Sequence, residues 1–141
     1  MSTTDVLFES WGPLHYSVGH IGHKLIVEVD PGIVNYYRDL LPKYIKLNRQ
    51  MYAPHVSVVR HEIPPNLEHW GKYEGEEIHF FYRPSVRHGT VYYWLDIFCV
   101  RLEEIRLELG LPVSSPYTRP PDGFSKCFHC TIGNVKQLEG Q

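Results

Sequence analysis

Nine histidines, 14 Lys and Arg, 16 Asp and Glu and three cysteines carry the reactive chemistry of this 141-residue chain, and two short segments stand apart from the rest. These are His55-Val56-Ser57-Val58 and His129-Cys130-Thr131-Ile132. In each, a histidine precedes a hydroxyl residue by two positions, with apolar residues interleaved. Residues i and i+2 of a strand share one face and lie about 6.7 Å apart. His55 therefore points with Ser57 and His129 with Thr131, while Val56, Val58, Cys130 and Ile132 take the opposite, core-facing side. Two such pairs facing each other suit a phosphodiester. A neutral imidazole takes a proton from the attacking oxygen, a protonated one supplies the departing oxygen, and both tasks fit a side chain that titrates near pH 7. The hydroxyls hold the non-bridging oxygens. His55 and His129 are the expected acid/base pair and Ser57 and Thr131 the expected phosphate-binding residues. The two segments are too alike to assign base and acid, and the scheme calls for no metal and no cofactor.

The elements that must position these residues can be read from periodicity. Lys24 to Asp30 alternates as a half-buried strand, with Leu25, Val27 and Val29 on one side. Asp30 reads as a helix N-cap with Pro31 in the first helical position, and Ile33, Tyr37, Leu40 and Leu41 follow at helical spacing until Pro42. Pro54 to Arg60 is a second strand. A turn-rich stretch follows, with a short helical turn near Asn66 to Trp70. EEIHFFYRP and TVYYWLDIF then read as an antiparallel pair around a Ser85 to Gly89 loop. VRLEEIRLELG is an amphipathic helix with Leu102, Ile105 and Leu109 on one face and Gly110 as C-cap. A proline-rich loop leads to a last strand from Cys127 to Asn134. This order, with no repeat and no linker, predicts one α+β domain over residues 1–141.

The chain is similar to the two-histidine (2H) phosphoesterase superfamily. The likeness rests on PHVSVVR at Pro54 to Arg60, on FHCTIGNV at Phe128 to Val135, and on the order of elements around them. It implies a two-lobed, pseudo-symmetric α+β fold whose antiparallel sheets form a central groove flanked by helices. It also implies metal-independent cleavage of a small cyclic or 2′-linked nucleotide: a 2′,3′-cyclic phosphate, a 2′-5′ oligoadenylate, or the cyclic di- and oligonucleotides that phage members degrade to counteract antiviral signalling. Ser57 departs from the commoner threonine. It keeps the donor and loses the methyl that restricts χ1.

Composition narrows the partners. A formal net charge of −2 and a pI near 6.5 leave no basic surplus for a long phosphate backbone, so a compact nucleotide is the expected substrate. Tyr16 and Tyr117 are the expected base-stacking aromatics. Three cysteines are too few for a disulfide framework, and no apolar run is long enough to span a bilayer, which predicts a cytoplasmic protein without membrane contact, in the host cytoplasm if phage-encoded. Cys127 and Cys130 point to opposite faces of their strand and do not share a metal. His15, His20 and His23, with Glu28 or Asp30, and the His61-Glu62 pair lack a metal-site spacing and read as solvated side chains. Arg60, Arg119 and Lys126 are near enough in sequence to meet phosphate charge, although alternation turns Arg60 away from His55. The alternatives to turnover of a small nucleotide are a nucleotide-binding sponge and an enzyme that processes RNA 2′,3′-cyclic phosphate ends.

Overall fold

The computed structural model describes residues 6–20, 22–114 and 119–136. In chain order the elements are β1 (Phe8–Gly19), β2 (Gly22–Glu28), α1 (Pro31–Leu40), β3 (His55–Val59), a 3-10 turn (Leu67–His69), β4 (Glu77–His88), β5 (Tyr92–Phe98), α2 (Val100–Glu108) and β6 (Phe128–Asn134). The order strand–strand–helix–strand thus occurs twice. All strand pairings are antiparallel, in the order β1-β2-β3-β6-β5-β4, and pairing of Phe8–Pro13 with Glu77–Tyr82 closes the sheet into a barrel. The expected α+β class holds. The sheet arrangement differs from separate sheets about a central groove, since the strands form one barrel.

Alternation sets what lies inside. Leu14, Leu25, Val27, Val56, Phe80, Leu95, Ile97 and Cys130 are fully or almost fully buried in the interior. Burying an aliphatic side chain of this size contributes about 1.5–3 kcal/mol relative to leaving it in water. Asp30 caps α1 by accepting a hydrogen bond from the Gly32 amide at 2.8 Å, and Val34 and Tyr37 are the residues the helix buries. Leu102, Ile105 and Leu109 bury one face of α2, which ends at Gly110 with φ 86° and a Leu111 amide donating back to the Arg106 carbonyl at 2.8 Å. None of the described helices is long and apolar enough to cross a membrane.

Two strands depart from expectation. β1 has no clean polar–apolar alternation, because Phe8 and Trp11, three residues apart and so on opposite faces, are both exposed and its middle reads Gly12-Pro13. Gly12 is required there: a Cβ would run into the Glu28 backbone carbonyl on β2. β4 continues through Pro84 to His88 where a loop is expected, and a register shift between Tyr82 and Val86 accommodates the proline.

Candidate active site

β3 and β6 are neighbours in the barrel, and Val56 pairs with Cys130. That register sets His55 opposite Thr131 and Ser57 opposite His129. Val56, Val58, Cys130 and Ile132 are buried, and the two histidines and two hydroxyl residues line one groove of about 1020 Å³ on the outer face of the barrel. Alternation thus brings together all four residues expected from the paired segments.

The two histidines differ in their surroundings. His55 Nδ1 lies 2.8 Å from the Ala53 carbonyl oxygen. A carbonyl only accepts, so Nδ1 carries the proton and the neutral ring keeps its lone pair on Nε2. Withdrawal from water holds the His55 pKa below its usual range, the hydrogen bond to Ala53 opposes this, and the positive charges of Lys24 and Arg60 reinforce it. His129 is also lowered by withdrawal from water. Its nearby carboxylate, Asp96, pulls the other way, while Lys126 and Arg87 add to the lowering. His129 Nε2 is 3.9 Å from Asp96 Oδ1, beyond hydrogen-bond reach and well within Coulombic range.

Asp96 is fully buried on β5, in register with His129. Its Oδ1 accepts from Trp94 Nε1 at 3.1 Å and its Oδ2 from Arg83 Nη1 at 3.2 Å, with Arg87 Nη1 at 3.8 Å. Ligand atoms of Asp96, Cys127 and His129 lie within 4.8 Å of one another, a spacing that would admit a metal. The donor set fits one poorly: both carboxylate oxygens are already engaged, two arginines already answer their charge, and burial together with Asp96 pushes the Cys127 thiol up to about 12, away from the thiolate a metal needs. Cys130, by contrast, lies inside the barrel, so the two cysteines do face opposite ways.

Among the described residues, neither the Ser57 nor the Thr131 hydroxyl has a protein partner, which leaves both to donate into the groove. Among the described residues, no Asp or Glu lines the groove, whereas Lys24, Arg38, Arg49, Arg60 and Lys136 do. On a chain of net charge −2 this is a local basic site. Arg38 is structural. It donates to the Ile132 and Leu47 carbonyls at 2.8 and 2.9 Å and ties α1 and the following loop to β6. Arg60 corrects the alternation argument. A register shift between Leu25 and Ile26 lets Val58 and Val59 both turn inward, so parity flips and Arg60 emerges on the groove side, its Nε 3.1 Å from His61 Nε2.

The expected aromatics fare differently. Tyr16 does not line the groove: β1 alternation turns it inward after Leu14, and it packs edge-on against Trp70 at 5.0 Å. Tyr117 lies outside the described residues. The exposed groove tyrosines are instead Tyr52, before β3, and Tyr92, at the start of β5. Their signal in the sequence is weak, because the loop carrying Tyr52 reaches the site only through long-range contacts. Asn48 bridges to Asn134 on β6, and Asn134 Nδ2 donates to Gln50 Oε1 at 2.7 Å. Asp96 had a readable signal, an acid in the middle of an apolar strand.

Most other histidines have local partners. His15 is held between Glu74 at 2.7 Å and Glu28 at 3.3 Å, His79 pairs with Glu9 at 3.0 Å and stacks on Trp11, and His88 stacks on Tyr93. Glu62 forms a two-armed ion pair with Arg106 at 2.8 and 2.9 Å, so it is not available to a metal beside His61. Compared with models of protein families, with curated proteins and with solved structures, the chain has no match.

Proposed function

We propose that this protein is a phosphodiesterase of the two-histidine kind, with the two-lobed, pseudo-symmetric arrangement of that superfamily, and that it cleaves a small cyclic or 2′-linked nucleotide in the cytoplasm without a metal. The observation that carries the reading is the juxtaposition on adjacent strands of two imidazoles and two hydroxyls, unpartnered among the described residues, in a groove whose described lining carries cations and no acids. The recurrence of strand–strand–helix–strand, each copy ending on a motif strand, supports it as well.

His55 is the general base. Its Nδ1 proton is committed to Ala53, so Nε2 accepts the proton of the attacking oxygen, and Lys24 and Arg60 favour the neutral ring that a base requires. His129 is the general acid: withdrawal from water lowers both histidines, but His129 has a carboxylate, Asp96, beside it that favours its protonated form. As the attacking oxygen, from water or from a ribose hydroxyl of the substrate, bonds to phosphorus, its proton passes to His55. The bond from phosphorus to the leaving oxygen breaks, and that oxygen takes the proton of His129. Ser57 and Thr131 donate to the non-bridging oxygens as charge develops on them.

Chelator-treated protein incubated with 2′,3′-cyclic nucleotides, 2′-5′ oligoadenylate and cyclic dinucleotides, with product analysis, tests this. The expected result is turnover of at least one class, reduced roughly 10²- to 10⁴-fold by His55→Ala or His129→Ala. Turnover indifferent to both substitutions would overturn the mechanism. Tight binding without turnover would make the protein a nucleotide sponge.

A further inference from the structure

We propose that the groove takes a substrate with two nucleoside units joined through phosphate, a cyclic or linear dinucleotide, with one base on Tyr52 and the other on Tyr92; this rests on the phosphodiesterase reading and specifies its substrate. The two tyrosines are 66% and 41% exposed, and each has an ammonium over one face of its ring. Lys24 Nζ is 5.2 Å from the centre of the Tyr52 ring and Lys136 Nζ is 5.0 Å from that of Tyr92. All four line the same groove as the histidines.

The barrel order distributes them. Lys24 is on β2, Tyr92 on β5, and β3 and β6 with the reacting groups lie between, since the strands run β2-β3-β6-β5. Tyr52 precedes β3 and Lys136 follows β6. An aromatic face with a neighbouring cation is the minimal receptor for a nucleotide: the ring stacks on the base and the ammonium meets a phosphate. This pair occurs twice, flanking one cleavage centre. A nucleoside 2′,3′-cyclic monophosphate has one base and one phosphate and would leave one of the pairs unused. The size of the groove agrees, as about 1020 Å³ stands at the top of the roughly 300–1,000 Å³ range of small-molecule sites. Because none of the described residues lining the groove is acidic, none of them repels a bound phosphate.

The test separates binding from turnover. Equilibrium binding to the His129→Ala protein is measured for a 3′-5′ cyclic dinucleotide, a linear 2′-5′ dinucleotide and a nucleoside 2′,3′-cyclic monophosphate. The expected result is that one of the dinucleotides binds at least tenfold tighter than the mononucleotide. Tyr52→Ala and Tyr92→Ala, placed in the same background, each weaken that dinucleotide by roughly 5- to 150-fold, the range for stacking of one base, while at most one of them affects the mononucleotide. Equal affinity for all three ligands, or dinucleotide binding indifferent to either tyrosine, overturns the two-unit proposal and leaves the phosphodiesterase reading standing. The expected binding pattern combined with no turnover by the unmutated protein removes the enzyme and keeps the two-unit site.

Discussion

Replacing Asp96 by asparagine isolates the electrostatic asymmetry between the two histidines. The substitution keeps shape, and its amide oxygen still accepts from Trp94, but it removes a negative charge 3.9 Å from His129 Nε2. Two unit charges at that distance interact by about 1 kcal/mol in a water-like dielectric and about 4 kcal/mol at an effective value of about 20. The water-like limit is the better guide, because the imidazole is 50% exposed and because Arg83 and Arg87 already offset the carboxylate. About 1 kcal/mol corresponds to about 0.7 pH unit. In the proposed mechanism His129 is the general acid and must be protonated to act. Asp96→Asn therefore moves the alkaline limb of the kcat/KM profile about 0.7 unit downward and lowers the rate above that limb about fivefold, with the acidic limb, set by His55, unmoved. The assay is the pH dependence of kcat/KM for variant and unmutated protein, alongside their thermal melts. A shift of the acidic limb instead would reverse the roles of the two histidines, and an unmoved profile from a folded variant would refute the coupling.

Two further outcomes concern the framework. Gly133→Ala sets a Cβ 2.5 Å from Leu47 Cγ, 2.6 Å from Arg38 Nη1 and 2.7 Å from the Asn48 carbonyl, so the groove-lining loop must move off β6; denaturant unfolding should register a loss of about 1–3 kcal/mol. His15 is raised above its usual 6.5 chiefly by its hydrogen bond to Glu74, and Glu74 is lowered from its usual 4.5, first by the Tyr16 amide and then by His15. The histidine's contribution is complete below 6.5 and lost as pH rises through its raised value; that of Glu74 is present above 4.5 and lost as pH falls. His15→Ala should therefore depress the melting temperature more at about pH 5.5 than at about pH 8.5, and an equal effect at both would show that the contact is not ionic.

Much of the site was legible because its logic is local. Strand alternation alone turns His55, Ser57, His129 and Thr131 outward over buried Val56, Val58, Cys130 and Ile132, and the Asp30-Pro31 pair announces α1. What escaped depends on distant chain. Closure of the barrel needs β1, whose exposed Phe8 and Trp11 and central Gly12-Pro13 give no alternation to read. The side on which Arg60 emerges depends on the extra residue, Val58, between Ser57 and Val59, which only the pairing with β2 reveals. Tyr16 was misdirected by the same omission, since its inward face is a property of β1.

Placing the reacting groups on the outer surface of a closed barrel separates two demands on the sequence. Stability resides in the interior, in residues such as Leu25, Val56, Leu95 and Cys130, and the proposed recognition in more exposed side chains on the same strands or in the chain just beside them. Exchange of Tyr52, Tyr92, Lys24 or Lys136 alters no interior contact. On the proposed reading, the chain can change the nucleotide it takes in single substitutions, each nearly neutral to folding, while its two histidines stay fixed by the strands beneath them.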